Sequence, residues 1–136
     1  MDIKLDNYAF MPHRAHPTDA GLDLRSPENI YLKARQSVTI RTGVHIKLPP
    51  NTYGRIASKS GLMVHHGILT DGTVDEGFSG EICVCLFNLS EAGYYVERGD
   101  KVAQLIVTPC QYVEVNAVDE IEGGERGENG FGSTGK

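Results

Sequence analysis

Tryptophan is missing from this chain, and cysteine occurs only three times in 136 residues. Cys83 and Cys85 stand two apart and Cys110 is remote. Such an odd, uneven set builds no disulfide framework and points to a reducing, cytoplasmic setting. Long apolar runs are also lacking. None approaches the roughly 20 residues of a membrane-spanning helix, and the opening MDIKLDNYAF has no signal-peptide core, so no membrane partner is expected. Basic residues are outnumbered 13 to 18, which leaves a net charge of −5. With no basic face there is no expected affinity for a nucleic-acid backbone.

What is present fits one soluble domain, with 40% hydrophobic and 23% charged residues. Sixteen glycines and six prolines favour many short elements joined by tight turns. In VTIRTGVHIKL, Val38 and Ile40 alternate with polar residues, and Val44, Ile46 and Leu48 resume the alternation after Gly43. That predicts a strand pair or a bulged strand. YGRIAS at 53–58, EICVCLFNL at 81–89, KVAQLIVTP at 101–109 and QYVEVNAV at 111–118 read as further strands. The 81–89 run is apolar on both faces and predicts a central strand. SGLMVHHG at 60–67 is the one predicted helix, with Ser60 as cap and Gly67 as stop. The segment before residue 30, broken by Pro12, Pro17 and Pro27, reads as extended chain with turns. The expected fold is therefore all-β, a sandwich, jelly roll or distorted barrel over residues 1–118. An acidic, Gly-rich arm follows over 119–136.

Five segments fit a β-scaffold poorly: AGLDLRS at 20–26, ASKSGL at 57–62, DGTVDEGFSGEI at 71–82, GDKVAQLI at 99–106, and the ending RGENGFGSTGK. Each has a plain reading. Asp23 between two leucines is a solvent-facing strand residue, Ser60 a helix cap, DGTV a hairpin turn, and the Gly-rich end a solvated linker.

In their order and spacing, the five together resemble the sequence motifs of the trimeric dUTPases, from Ala20 to Gly135. The resemblance implies a distorted β-barrel or jelly-roll-like subunit. It implies a homotrimer whose shared active sites hydrolyse dUTP to dUMP and pyrophosphate with Mg²⁺, lowering dUTP and supplying dUMP for thymidylate synthesis. By the same resemblance Asp75 is the catalytic carboxylate that orients and deprotonates the attacking water, a role usually worth about 10²–10⁴-fold. Gly72, Thr73 and Val74 present backbone groups to the uracil edge, and Cys83 lines the same pocket. Phe78 stands where the family usually has Tyr, and its ring packs under the deoxyribose, where it leaves no room for a 2′-hydroxyl. Lys59, Ser60, Gly61 and Gln104 bind phosphates. Asp23 holds the metal through water, an arrangement that suits Mg²⁺ because it commonly keeps waters and binds through substrate phosphates. In the arm, Phe131 stacks on the base, Arg126 clamps the γ-phosphate, and Gly132, Ser133 and Thr134 complete a lid.

The chain departs from the family pattern at several places. Lys59 and Lys101 replace the more usual Arg, a point charge for a planar fork. Asn129 replaces a Gly, and Leu69 stands where many bacterial members have Asn. Three rival readings are weaker. A non-catalytic jelly-roll binding module is opposed by the presence of Asp75, Asp23, Gln104 and the full tail. A dCTP deaminase would carry a catalytic Glu where this chain has Ser79. In a metal hydrolase built on His65, His66, Cys83 and Cys85, the adjacent histidines point to different faces of a helix, and no fourth ligand stands at suitable spacing.

Overall fold

The computed structural model describes residues 1–135. Among them, the strands in chain order are β1 (Asp2–Leu5), β2 (Leu22–Arg25), β3 (Ile30–Leu32), β4 (Ser37–Arg41), β5 (Val44–Lys47) and β6 (Thr52–Ala57). The helix α1 (Ser60–His66) then leads into β7 (Ile68–Leu69), β8 (Asp71–Val74), β9 (Cys83–Asn88), β10 (Tyr94–Val96) and β11 (Lys101–Pro109). Pairing gives a four-stranded sheet in the order β2-β11-β6-β8, a three-stranded sheet β4-β9-β7, and the two ribbons β1-β5 and β10-β3. All pairs of named strands are antiparallel. The molecule is jelly-roll-like and all-β, as expected, although no sheet closes on itself.

Alternation explains how the sheets share one core. In β9 the side chains of Val84, Leu86 and Asn88 point inward and are buried, while Cys83 and Phe87 face out. Ile40, Val44, Ile46, Ile56, Ile82 and Leu105 meet them in the same cluster. In β11 a register shift leaves Val102 as the extra residue between the Lys101–Arg25 and Ala103–Leu24 pairs. Val102 and Ala103 are consequently both buried, the local twist a bulge provides. Asn88 is one of five buried polar residues, with Asp23, Ser26, Thr42 and Thr70. Its Nδ2 donates to the carbonyls of Ala92, Lys33 and Leu32, and its Oδ1 accepts from the N–H and Oγ of Ser90.

The structure corrects several expectations. The 38–48 run does form two strands, but they do not pair with each other: β4 joins β9 and β5 joins β1. Gly43 makes the corner at φ 69°, where an added Cβ would lie 2.7 Å from the Tyr8 ring. The helix begins at Ser60, but Lys59 is the capping position and no side chain caps it; Gly67 ends it at φ 65° as expected. DGTV is a strand, not a turn. β9 is central, yet its outer face stays exposed in this chain, with Phe87 46% accessible. Residues 111–118 form no strand: Tyr112, Val113, Val115 and Val118 are exposed. Their apolar periodicity suits a sheet, but no strand edge of this chain pairs with them, and an unpaired segment satisfies none of its ladder hydrogen bonds.

Replacing Asn88 with Leu keeps the volume, removes the amide bonds to the Leu32, Lys33 and Ala92 carbonyls and leaves the buried Leu32 carbonyl without that donor. The expected loss is about 2–4 kcal/mol of unfolding free energy, read from urea denaturation. An unchanged midpoint would contradict the role given to Asn88.

Candidate active site

The β2–β11 register places Asp23 opposite Gln104. Asp23 is only 4% accessible, which overturns its plain reading as a solvent-facing strand residue. Two ammonium groups offset the cost of burying it: Lys59 Nζ lies 2.6 Å from Oδ1 and Lys101 Nζ 2.7 Å from Oδ2. Burial alone would raise the carboxyl pKa. The bonds from Lys101 and Lys59 outweigh it and hold Asp23 below the usual carboxylate range. Gln104 Nε2 donates to the Ser58 carbonyl at 3.1 Å. Gly21 is required beside it, since an added Cβ would sit 2.4 Å from Gln104 Oε1. Ser58 Oγ in turn donates to the Thr70 carbonyl at 2.7 Å and accepts the Thr70 N–H at 2.9 Å. The turn that carries Lys59, Ser60 and Gly61 is thus held from three sides, and the space around Gly61 is open.

A second group gathers where β8 ends. Gly72, Thr73 and Val74 lie in β8, paired with Ile56, Arg55 and Gly54 of β6. Asp75 follows one residue past the last pair. From here to Glu81 no ladder holds the chain, and side chains and a turn take over. The Phe78 N–H donates to the Asp75 carbonyl at 3.0 Å. The half-exposed Phe78 ring lies over Gly80, where an added Cβ would be 2.6 Å from the ring. Glu81 accepts from Gly43 N–H, Arg41 Nε and Tyr8 OH at 2.8, 2.7 and 3.0 Å. Glu76 accepts from the Asn51 N–H at 3.0 Å and from the Tyr112 hydroxyl. A cleft of about 860 Å³ opens here, lined by Thr73, Asp75, Glu76, Tyr53, Lys47 and Tyr112 among others. Cys83 is exposed at the start of β9.

The structure therefore brings Asp23, Lys59 and Gln104 together, and separately Thr73, Asp75 and Phe78. It does not bring the two groups together. β6 runs between them: Ala57 pairs with Gln104 at one end, and Gly54 pairs with Val74 toward the other. At about 3.3 Å per residue and 4.8 Å per strand, Asp75 and Gln104 are roughly 15–20 Å apart. The arm makes only local backbone bonds and none to either group among the described residues. Arg126, Gly132, Ser133 and Thr134 are exposed, Phe131 is fully exposed, and the backbone bonds at Gly127, Asn129, Ser133 and Gly135 are local turns. Sequence reasoning saw Lys101 only as a departure, and it missed Glu76, Glu81 and Tyr112 as supports. For Glu76, beside Asp75, and Glu81, two residues before Cys83, a charge next to a site residue was the available signal; the pairing of Glu76 with Tyr112 offered none.

Comparison with known proteins assigns this architecture. The family model described as dUTPase matches residues 7–135. The chain belongs to the dUTPase family. The deoxyuridine 5'-triphosphate nucleotidohydrolase of Clostridium kluyveri is 44% identical over 97% of this chain and 94% of its own length. The enzyme of the same name from Gloeothece citriformis is also 44% identical, over 97% and 93%. Among solved structures, a mutant dUTPase of Staphylococcus bacteriophage 80alpha with dUpNHpp superposes at TM-score 0.93 with 28% identity, covering 99% of this chain and 98% of that one. A mutant dUTPase of phage phi11 of S. aureus, described with a structural Mg(II) ion, gives 0.82 at 26% identity, over 88% and 96%. As a dUTPase, the chain is a dUTP diphosphatase.

The depressed Asp23 carboxyl gives a signed prediction. A lowered folded-state pKa stabilises the fold above the unfolded value of about 3.9 and loses that stabilisation as pH falls through the folded value. Asp23→Asn should therefore cost about 1–3 kcal/mol at pH 7, less than for a fully buried pair because both lysines reach solvent. The difference from the parent should shrink below about pH 4. Denaturation at pH 7 and pH 3 measures it; an equal deficit at both would remove the ion pairs as the cause.

Proposed function

We propose that this dUTPase splits dUTP between the α- and β-phosphorus atoms, with Asp75 as the base that accepts the proton of the attacking water. The observation that carries the reading is Asp75 itself, the carboxylate at the free end of β8 on the wall of the largest described cleft. Thr73 and Val74 offer backbone groups to the uracil edge, and fixed donors and acceptors can reject a wrong base by about 10⁴–10⁵. Cys83 borders the base, and Phe78, seated by Gly80, packs under the sugar. Lys59, Ser60, Gly61 and Gln104 contact the phosphates.

The separation along β6 supports a shared site. A triphosphate is much shorter than the span between Asp75 and Gln104, so one chain supplies the base and sugar side while another supplies the phosphate side. The homotrimer meets this need, with the arm of a third chain closing over the site through Arg126, Phe131, Gly132, Ser133 and Thr134. The unpaired 111–118 segment and the exposed face of β9 are the surfaces such an assembly would cover. Among the described residues no helix is long and apolar enough to cross a membrane, and the proposed setting is the cytoplasm.

Among the described residues no group of three His, Cys, Asp or Glu side chains converges on a metal position. Asp23 nevertheless fits Mg²⁺ as a hard oxygen acceptor reached through water. Its two oxygens already receive ammonium groups, which leaves outer-sphere contact rather than direct ligation. When bound, Mg²⁺ would cancel phosphate charge in an acidic protein.

Product analysis with dUTP and dCTP tests the activity. Pyrophosphate from dUTP is expected; ammonia from dCTP would contradict it. Asp75→Asn should lower kcat by about 10²–10⁴-fold while nucleotide binding persists. A variant that keeps most of its turnover would remove Asp75 from the role.

A further inference from the structure

The loop that carries Asp75 is held on its cleft side by one side chain, that of the next residue. Glu76 accepts the Asn51 N–H at 3.0 Å and the Tyr112 hydroxyl on the same oxygen, Oε2. Asn51 also closes the other half of a ring. Its carbonyl accepts the Cys110 N–H at 2.8 Å, and Cys110 is two residues before Tyr112. Asn51 sits at φ 58°, a left-handed conformation that aims its N–H and C=O at these two partners. The ring therefore ties three pieces of chain: the Asp75 loop, the turn after β5, and the first residues beyond β11. That last piece is where the C-terminal segment departs. The Glu76 bond pushes the Tyr112 phenol up to about 12, so the hydroxyl remains a donor over the working pH range. Within the single chain nothing in the core depends on the contact, because Tyr112 is 64% accessible there.

We infer that Glu76 and Tyr112 are positioning residues for the reaction, which fix the Asp75 loop by bonding it to the root of the C-terminal segment. The inference rests on Asp75 as the base. Its chemistry is geometric. A base must stay within hydrogen-bond reach of the water it deprotonates, and a shift of about 1 Å can cost up to 10²-fold. β8 holds Asp75 from one side only, since pairing ends at Val74. Beyond β8 the Phe78 N–H closes the loop on the Asp75 carbonyl and Glu81 anchors its far end, and on the cleft side Glu76 ties it to the other segments. Because that hold is anchored in residues 110–112, a displacement of the C-terminal segment is felt at Asp75.

The test compares the parent trimer with Tyr112→Phe, Glu76→Gln, Glu76→Ala and the double variant Tyr112→Phe/Glu76→Ala, with dUTP as substrate. Tyr112→Phe should lower kcat about fivefold to tenfold with KM within about twofold and an unchanged unfolding midpoint. Glu76→Ala should lower it at least as far, and the double variant should be no worse than Glu76→Ala alone. Glu76→Gln retains an oxygen that accepts from both donors, so it should recover most of the turnover. A fully active Tyr112→Phe, an additive double variant, a Glu76→Gln as impaired as Glu76→Ala, or a loss confined to KM would each overturn the inference. Asp75→Asn measured beside them separates the two claims. If it is inactive while Tyr112→Phe is fully active, only the tie fails; if it is active, the base assignment fails and takes the tie with it.

Discussion

One strand sets the logic of the molecule. β6 pairs with β11 on one side and β8 on the other, so it fixes the distance between what those strands carry. β11 and β2 bring Gln104 and Asp23 to its far end, while β8 delivers Asp75 near its start. Backbone ladders of this kind do not flex by many ångströms, since the hydrogen bonds along each register tie the strands together. The halves of the site are therefore held apart within the chain, and the sheet that separates them is the same sheet that makes each half rigid. A catalytic arrangement that needs both must take them from different copies.

Each half is preorganised by close approach and by charge. In the half proposed to bind phosphate, Asp23 is buried with its charge offset by Lys59 and Lys101. The same carboxylate keeps the two ammonium groups in place, and Gly21 leaves the room that Gln104 occupies. In the half proposed to carry the hydrolysis, Gly80 seats the Phe78 ring, and Glu76 and Glu81 anchor the loop at each end. Lys in place of Arg at 59 and 101 suits the buried arrangement, because each supplies one compact charge to one carboxylate oxygen.

The sequence made the core strands legible where burial enforces a two-residue period, as in Val84, Leu86 and the inward face of β5. It made Asp75 and its neighbours legible through the motif around them. It did not reveal that Asp23 is buried, because that depends on two lysines far along the chain and on a bulge at Val102. It misjudged residues 111–118 for a related reason: alternation records that a segment can pair, not that an edge is available in the same chain. The short strands β2, β3 and β10 escaped because three or four residues among prolines and charges carry too little period to read. The Glu76–Tyr112 contact, between an acid and a phenol with no motif between them, left no pattern at all.

The claim that the site is divided between chains is tested most directly by mixing two inactive proteins. Asp75→Asn spoils the hydrolytic half and Gln104→Ala the phosphate half, and each alone should be nearly inactive. After the two are unfolded together and reassembled in equal amounts, about a quarter of the sites would combine an intact Asp75 from one chain with an intact Gln104 from its neighbour. Turnover should rise to about that fraction of the parent's. If the mixture stays as inactive as its components although mixed assemblies have formed, each site is complete within one chain and the account given for β6 is wrong.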